Sequence, residues 1–131
     1  FVYKIVQQLK QGKKEILAVS DKFGTPTFTR DFAANLIDVI NCGQYGIYHM
    51  ANKGTCTRYD MAVKIVESMG LDREVKVTPV CSDRFPLPAP RARSEMIENY
   101  NLESIGLNNM PYWQDSLDEY IRANKDKKMG V

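Results

Sequence analysis

The sequence has 131 residues, 44% of them hydrophobic, which is enough for one domain with one core. With 18 Lys and Arg residues against 16 Asp and Glu residues the net charge is only +2, which predicts neither a nucleic acid nor a membrane surface as a partner. No apolar run approaches the roughly 20 residues of a membrane-spanning helix, and no signal peptide is visible. The one local basic run, Lys125, Lys127 and Lys128, is interpreted as a solvated tail.

The cysteines and the single histidine give little sign of a metal site. Cys42, Cys56 and Cys81 are odd in number and lack CxxC spacing, which disfavours both a disulfide framework and a zinc site. Free thiols fit a reducing compartment, so we expect a cytoplasmic protein. His49 lies in an apolar stretch, and we interpret it as a packed core histidine rather than a metal ligand.

The chain opens with a helical pattern that ends at Gly12. The apolar side chains of one face are Phe1, Val2, Ile5, Val6 and Leu9. No Ser, Thr, Asp or Asn precedes this helix to cap its first amide groups, so the sequence starts within a helical pattern. We therefore expect a fragment of a longer polypeptide.

A strand, a loop, a helix and a second strand follow. Residues 15–20 (EILAVS) predict the first strand, and residues 21–29 (DKFGTPTFT) predict the loop. The helix is expected to take Thr29 as its N-cap and to end at Gly43. Its apolar stripe consists of Phe32, Leu36 and Ile40, with Ala33 and Ile37 beside it. Residues 46–51 (GIYHMA) predict the second strand.

A third helix and a third strand come next. Thr57 and Asp60 form a capping-box pair at the start of the helix, and Gly70 closes it. Residues 74–80 (EVKVTPV) alternate as a strand, and Pro79 suggests that the strand ends there or lies at a sheet edge.

The last part of the chain is a Pro-rich loop (residues 82–93), a short helix (101–105) and a final helix (113–123). The side chains of the final helix that are expected inside are Trp113, Leu117, Tyr120 and Ile121. Alternating helix and strand patterns favour an α/β fold with some parallel pairing, few short strands and about five helices. Three short strands make a poor sheet alone, which is a second sign that part of the sheet is missing.

Cofactor and catalytic motifs are absent from the sequence. It contains no GxGxxG or GxxGxxG, no phosphate loop and no GxSxG. None of its seven tyrosines is followed four positions later by Lys, the spacing that lets an ammonium group lower a phenol pKa for proton transfer. We therefore expect no catalytic residue, cofactor-binding residue or metal ligand in this chain.

Two irregular segments, the first with Gly24 and Pro26 and the second with three prolines, are the candidate binding loops, because loops of this kind often hold ligands. Phe23, Thr25 and Thr27 lie in the first, and Arg91 lies in the second. The Arg91 guanidinium can match phosphate oxygens with two parallel hydrogen bonds. From the residues alone, a surface salt bridge for Arg91 and turn-stabilising hydroxyls for the two threonines are simpler roles.

Six segments, taken in chain order, resemble sequence motifs of the dTDP-4-dehydrorhamnose reductases. These enzymes are extended short-chain dehydrogenase/reductases. The matching segments are residues 21–27 (DKFGTPT), 30–33 (RDFA), 46–51 (GIYHMA), 54–57 (GTCT), 85–91 (FPLPAPR) and 111–113 (PYW). The sequence departs from the family at Ala92, where the family usually has Pro, and at residues 95–98 (EMIE), where it usually has Ser-x-Leu-Asp.

The resemblance implies that residues 1–131 are a single domain, the C-terminal, substrate-binding part of such a reductase. A Rossmann-type N-terminal half, absent from this sequence, would bind NADPH or NADH and carry the catalytic Ser/Thr, Tyr and Lys. In this family hydride goes to C4 of a dTDP-4-keto-6-deoxy sugar during dTDP-L-rhamnose biosynthesis. We take Arg91, Thr25, Thr27 and Phe23 as the candidate substrate contacts, and the resemblance places Arg91 beside the diphosphate. We expect no cofactor bound to this chain alone.

Two other interpretations remain open. A non-catalytic relative is one, because the same fold serves as a regulatory subunit of methionine adenosyltransferase; a Tyr-x-x-x-Lys upstream of Phe1 would favour the enzyme instead. An independent small α/β binding module is the other.

The expected partner is the N-terminal half, and the sequence also allows a homodimer, for which we predict pairing through the face of the first helix.

Overall fold

Helices and short strands alternate along residues 1–89 and 91–124, which are the residues described by this computed structural model. The helices are α1 (Val2–Lys10), α2 (Thr29–Asn41), α3 (Arg58–Ser68), α4 (Tyr100–Ser104) and α5 (Trp113–Asn124). The strands are β1 (Glu15–Val19), β2 (Phe23–Gly24), β3 (Cys56–Thr57), β4 (Lys76–Val80) and β5 (Ser94–Glu95). The expected α/β class is confirmed. Pro90 and the predicted solvated tail lie outside the described residues.

The strands form two small sheets. β1 and β4 pair in parallel, from Glu15 opposite Lys76 to Val19 opposite Val80. In the second sheet β2 is central, antiparallel to β3 and parallel to β5. Within the described residues β4 has only β1 as a neighbour, so Pro79 lies on an edge strand as its missing N–H requires.

The core lies around α3, which packs against α1, α5 and β1. Ile65 and Leu117 are fully buried at 0% exposure, and each such side chain contributes about 1.5–3 kcal/mol relative to an exposed position. The predicted capping box at α3 is confirmed: Thr57 Oγ1 accepts from the Asp60 amide at 3.1 Å, and the Asp60 carboxylate accepts from the Thr57 amide at 2.8 Å. None of these helices is long and apolar enough to span a bilayer.

The prediction of a strand at residues 46–51 is wrong. This segment pairs with no strand in the described part of the chain, and His49 is exposed rather than packed in the core. Side chains from residues 99 and 101 hold its ends: the Asn99 side chain bonds the Ala51 N–H and C=O at 2.8 and 2.7 Å, and Asn101 Nδ2 donates to the Ile47 carbonyl at 2.7 Å. Alternating side chains are compatible with a strand, but a strand also requires a partner backbone.

The apolar stripe of α2 is left uncovered in the structure. Its large side chains are exposed by between 36% and 68%: Phe32, Leu36, Ile37 and Ile40. The helix starts at Thr29, with Phe28 as the N-cap residue instead of Thr29, and the Phe28 amide donates to Asn52 Oδ1 at 2.8 Å. The face of α1, by contrast, is buried against the core, so it offers no surface for the predicted homodimer contact.

Candidate functional site

A cavity of about 640 Å³ opens between β2, the start of α3 and the Pro-rich loop. Three of the four predicted contact residues line it: Phe23, Thr25 and Arg91. Thr27 does not line the cavity; its hydroxyl donates to the Thr25 carbonyl at 3.4 Å, which is the turn-stabilising role considered from the sequence. The two candidate loops, about 65 positions apart in the sequence, therefore meet at one cavity.

The first end of the Pro-rich loop is held by Asp21. Its carboxylate accepts hydrogen bonds from the Ser82 amide and the Ser82 hydroxyl, both at 2.9 Å. Desolvation alone would raise the pKa of Asp21, but the hydrogen bonds from Ser82 outweigh it, and the pKa is lowered from its ordinary value. The carboxylate is therefore charged at neutral pH and holds the loop at its base.

The second end of the same loop is held by the two residues that follow Asp21. The Lys22 ammonium donates to the Arg91 carbonyl at 2.9 Å, and the Phe23 amide donates to the Arg93 carbonyl at 3.0 Å. The parallel β2–β5 pairing begins directly after this point. Both ends of the Pro-rich loop are thus attached to one segment, residues 21–24.

The charges around the cavity suit an anion. Lys22, Arg58 and Arg91 line it, against two acidic side chains, Asp83 and Glu95. None of the three cations forms an ion pair with a carboxylate among the described residues. Cations without carboxylate partners keep their full attraction for a bound anion, and guanidinium groups in particular match phosphate oxygens.

Aromatic and hydroxyl groups add apolar and polar contacts. Phe23 and Phe85 are 40% and 47% exposed on the cavity wall, so ring surface is available to a nucleobase or a sugar. The Thr25 hydroxyl is buried and has no hydrogen-bond partner among the described residues. An unpaired buried hydroxyl is costly, and a ligand that bonds to it removes that cost.

Lys22, Arg58 and Cys56 were missed from the sequence. Lys22 adjoins the candidate residue Phe23, and its position in the same loop was a usable signal. Arg58 and Cys56 reach the cavity only because β3 pairs with β2, which local patterns do not reveal.

Desolvation, followed by the charge of Asp60, raises the pKa of the Cys56 thiol to about 11. No group of three or more potential metal ligands occurs within residues 1–89 and 91–124.

Sequence comparison places this domain among known proteins. The family model of the RmlD substrate binding domain matches residues 1–125. A dTDP-4-dehydrorhamnose reductase of Mycolicibacterium smegmatis is 34% identical over 119 residues, which are 90% of this chain and 36% of that protein. The spore coat polysaccharide biosynthesis protein SpsK of Bacillus subtilis is 31% identical over 115 residues, which are 88% of this chain and 39% of that protein.

Solved structures agree with the sequence matches. The crystal structure of a dTDP-4-dehydrorhamnose reductase from Clostridium acetobutylicum has a TM-score of 0.86 and 38% identity, covering 95% of this chain and 44% of that chain. The Bacillus anthracis dTDP-4-dehydrorhamnose reductase, in complex with NADP, has a TM-score of 0.84 and 28% identity, covering 94% and 43%. A dTDP-glucose 4,6-dehydratase from Bacillus anthracis, at 14% identity and a TM-score of 0.69, shares the fold alone.

The fold and the cavity define the substrate-binding part of an extended short-chain dehydrogenase/reductase. The chain belongs to the RmlD substrate binding domain family, which confirms the resemblance found in its motifs. It spans between 36% and 44% of the length of the relatives described above.

Proposed function

We propose that this chain is the substrate-binding domain of an NAD(P)H-dependent dTDP-4-dehydrorhamnose reductase. It would hold a dTDP-4-keto-6-deoxy sugar while the ketone at C4 is reduced to an alcohol. The observation that carries this proposal is the cavity between residues 21–25 and the Pro-rich loop, where three cations without carboxylate partners lie beside exposed Phe rings. A nucleoside diphosphate sugar combines the charges and the flat ring that such a lining would bind.

In this mechanism the chain binds and orients the substrate. Arg91 would bind the diphosphate, Phe23 would contact an apolar ring face, and the Thr25 hydroxyl would bond a sugar or phosphate oxygen. An N-terminal Rossmann half would hold the reduced nicotinamide, whose chemistry is hydride donation. The proton for the C4 oxygen would come from a Tyr of that half, because no Tyr of this chain has a Lys four positions later.

An N-terminal half is proposed as the partner that covers α2 and residues 46–51. The backbone groups of Tyr48 and Met50 form no backbone hydrogen bond within the described residues, and Ile37 and Ile40 of α2 are 62% and 68% exposed. A segment with an alternating apolar pattern that follows an uncovered apolar helix in the chain has the composition of a sheet strand with its covering helix. Docking against the sheet of the Rossmann half would give the strand its partner and bury the helix face.

The proposed activity is tested in the protein at its natural full length. NADPH or NADH should be oxidised only when a dTDP-4-keto-6-deoxy sugar is added, and the product should carry a C4 hydroxyl. The 131-residue chain alone should show no oxidation above the blank. A full-length protein that binds the sugar nucleotide without reducing it would overturn the reductase assignment. Turnover by the isolated chain would overturn the proposal that the catalytic residues and the nicotinamide site belong to the N-terminal half.

A further inference from the structure

Lys22 is bound to the backbone of the residue predicted to hold the diphosphate. Its ammonium lies 2.9 Å from the Arg91 carbonyl oxygen, although the two residues are 69 positions apart in the sequence. Lys22 is half-buried, lines the same cavity as Arg91, and has no carboxylate partner among the described residues. Its one recorded hydrogen bond therefore goes to Arg91.

Apart from this bond, Arg91 forms no hydrogen bond among the described residues. The Arg91 side chain is exposed and donates no recorded hydrogen bond within the described chain, so its guanidinium is not held by protein partners. The next attachment is the Phe23 amide on the Arg93 carbonyl at 3.0 Å, two residues further on. A fixed backbone reduces the conformational entropy that Arg91 loses when it meets a ligand.

We propose that Lys22 is the positioning residue for Arg91. By holding the Arg91 carbonyl, the Lys22 ammonium sets the direction from which the guanidinium approaches the diphosphate of the sugar nucleotide. This inference rests on the proposed function, because it takes Arg91 as the diphosphate ligand. Arg58, the third cation of the cavity, lies 4.8 Å from the Phe1 ring centroid and keeps its charge in that contact.

A positioning role and a simple charge effect give different results when Arg91 is changed as well. The bond from Lys22 goes to a main-chain oxygen, so Arg91→Ala removes the guanidinium and leaves that bond intact. If Lys22 acts through the guanidinium, its own substitution should have little further effect in the Arg91→Ala background. If Lys22 attracts the diphosphate directly, its effect should be the same in both backgrounds.

The test is a double-mutant cycle in the full-length protein, with the dissociation constant for dTDP as the readout. Lys22→Met keeps the length of the side chain without a donor and should weaken binding about tenfold, as expected for coupled neighbours. Lys22→Arg keeps a donor and a charge and should restore most of the affinity. In the Arg91→Ala background, Lys22→Met should change the affinity by less than about twofold. Arg93→Met is the matched control, since Arg93 is exposed in the same loop but does not line the cavity.

The outcomes separate this inference from the proposed function. Unchanged dTDP affinity in Lys22→Met, or an equal loss in both backgrounds, overturns the positioning role alone. An equal loss in Arg93→Met, or a matching loss of nicotinamide affinity and melting temperature, shows a general effect and overturns it too. If the unmodified protein does not bind dTDP, the proposed function fails, and the inference fails with it.

Discussion

The Ser116 hydroxyl donates to the Asp31 carboxylate at 2.6 Å, joining two residues that are 85 positions apart in the sequence. Asp31 is 7% exposed and Ser116 6% exposed, so this is a buried contact between α2 and α5. Asn52 completes the cluster: its Nδ2 lies 2.8 Å from Asp31 and 2.9 Å from Ser116. The cluster attaches α2 to the core from its first turn, while the rest of its apolar face stays uncovered.

Replacing Asn52 should destabilise the fold. In Asn52→Ala the buried Asp31 carboxylate loses a donor and the Phe28 amide loses its acceptor, and we expect the free energy of unfolding to fall by about 1.5–3 kcal/mol. Chemical denaturation measures the change. Asn101→Ala is the matched control, because its amide also bonds a backbone carbonyl but is exposed, and it should cost less than about 1 kcal/mol. Equal losses in the two variants would show that the Asp31 cluster contributes no more stability than an exposed hydrogen bond does.

Local patterns predicted the elements whose stabilising contacts are close in the sequence. The capping box of Thr57 and Asp60 is such a case, because both partners lie within one helical turn. The prediction of a strand at residues 46–51 was wrong because a strand requires a partner backbone, and the sequence of the segment itself does not specify one. The periodicity of α2 identified an apolar face correctly but carried no information about what covers it.

The candidate site, like the fold, was predictable only where its features are local in the sequence. Gly and Pro marked the first loop, prolines and Arg91 marked the second, and three of the four residues chosen there do line one cavity. The contact between Lys22 and Arg91 spans 69 positions and depends on how β2 pairs with β5, so no local motif contains it. The contacts of Asp31 are not contained in a local pattern either, because its partners Asn52 and Ser116 come from distant parts of the chain.

The uncovered face of α2 should make the isolated 131-residue chain self-associate. Ile37→Lys places a charge on that face, where the side chain is 62% exposed, and should shift the chain towards monomer. Sedimentation velocity at several concentrations measures the change. Ile97→Lys is the matched control, because Ile97 is 45% exposed but lies far from α2 in the sequence, and it should leave association unchanged. A chain that is monomeric before any substitution would contradict this expectation.

The thiols should differ widely in reactivity. Cys56 is 6% exposed, and burial followed by the charge of Asp60 raises the pKa of its thiol to about 11. At about pH 8 only about one Cys56 in a thousand would be a thiolate, the form that reacts with iodoacetamide. Cys81 is exposed and should be alkylated first, as peptide mapping by mass spectrometry would record. In denaturant the two rates should converge; equal rates in the folded protein would contradict the burial of Cys56.

Arg91→Ala should weaken binding of the dTDP-sugar by roughly ten- to a hundredfold, which is about 1.4–2.8 kcal/mol. A guanidinium can meet a diphosphate with two parallel charge-assisted hydrogen bonds, and alanine removes both. Arg91→Lys keeps the charge but loses the planar fork, so it should recover only part of the affinity. Isothermal titration of the full-length protein with each ligand measures these changes.

Nicotinamide affinity should stay nearly constant in both Arg91 variants, because we place that ligand on the N-terminal half. Arg93→Ala is the control for this series: it removes one cation from the same loop without touching the cavity lining, and it should bind the dTDP-sugar as the unmodified protein does. Arg91 is exposed and forms no ion pair within the described residues, so the melting temperature should not change. If dTDP-sugar affinity survives in Arg91→Ala while the melting temperature falls, Arg91 is a structural residue and the diphosphate is bound elsewhere.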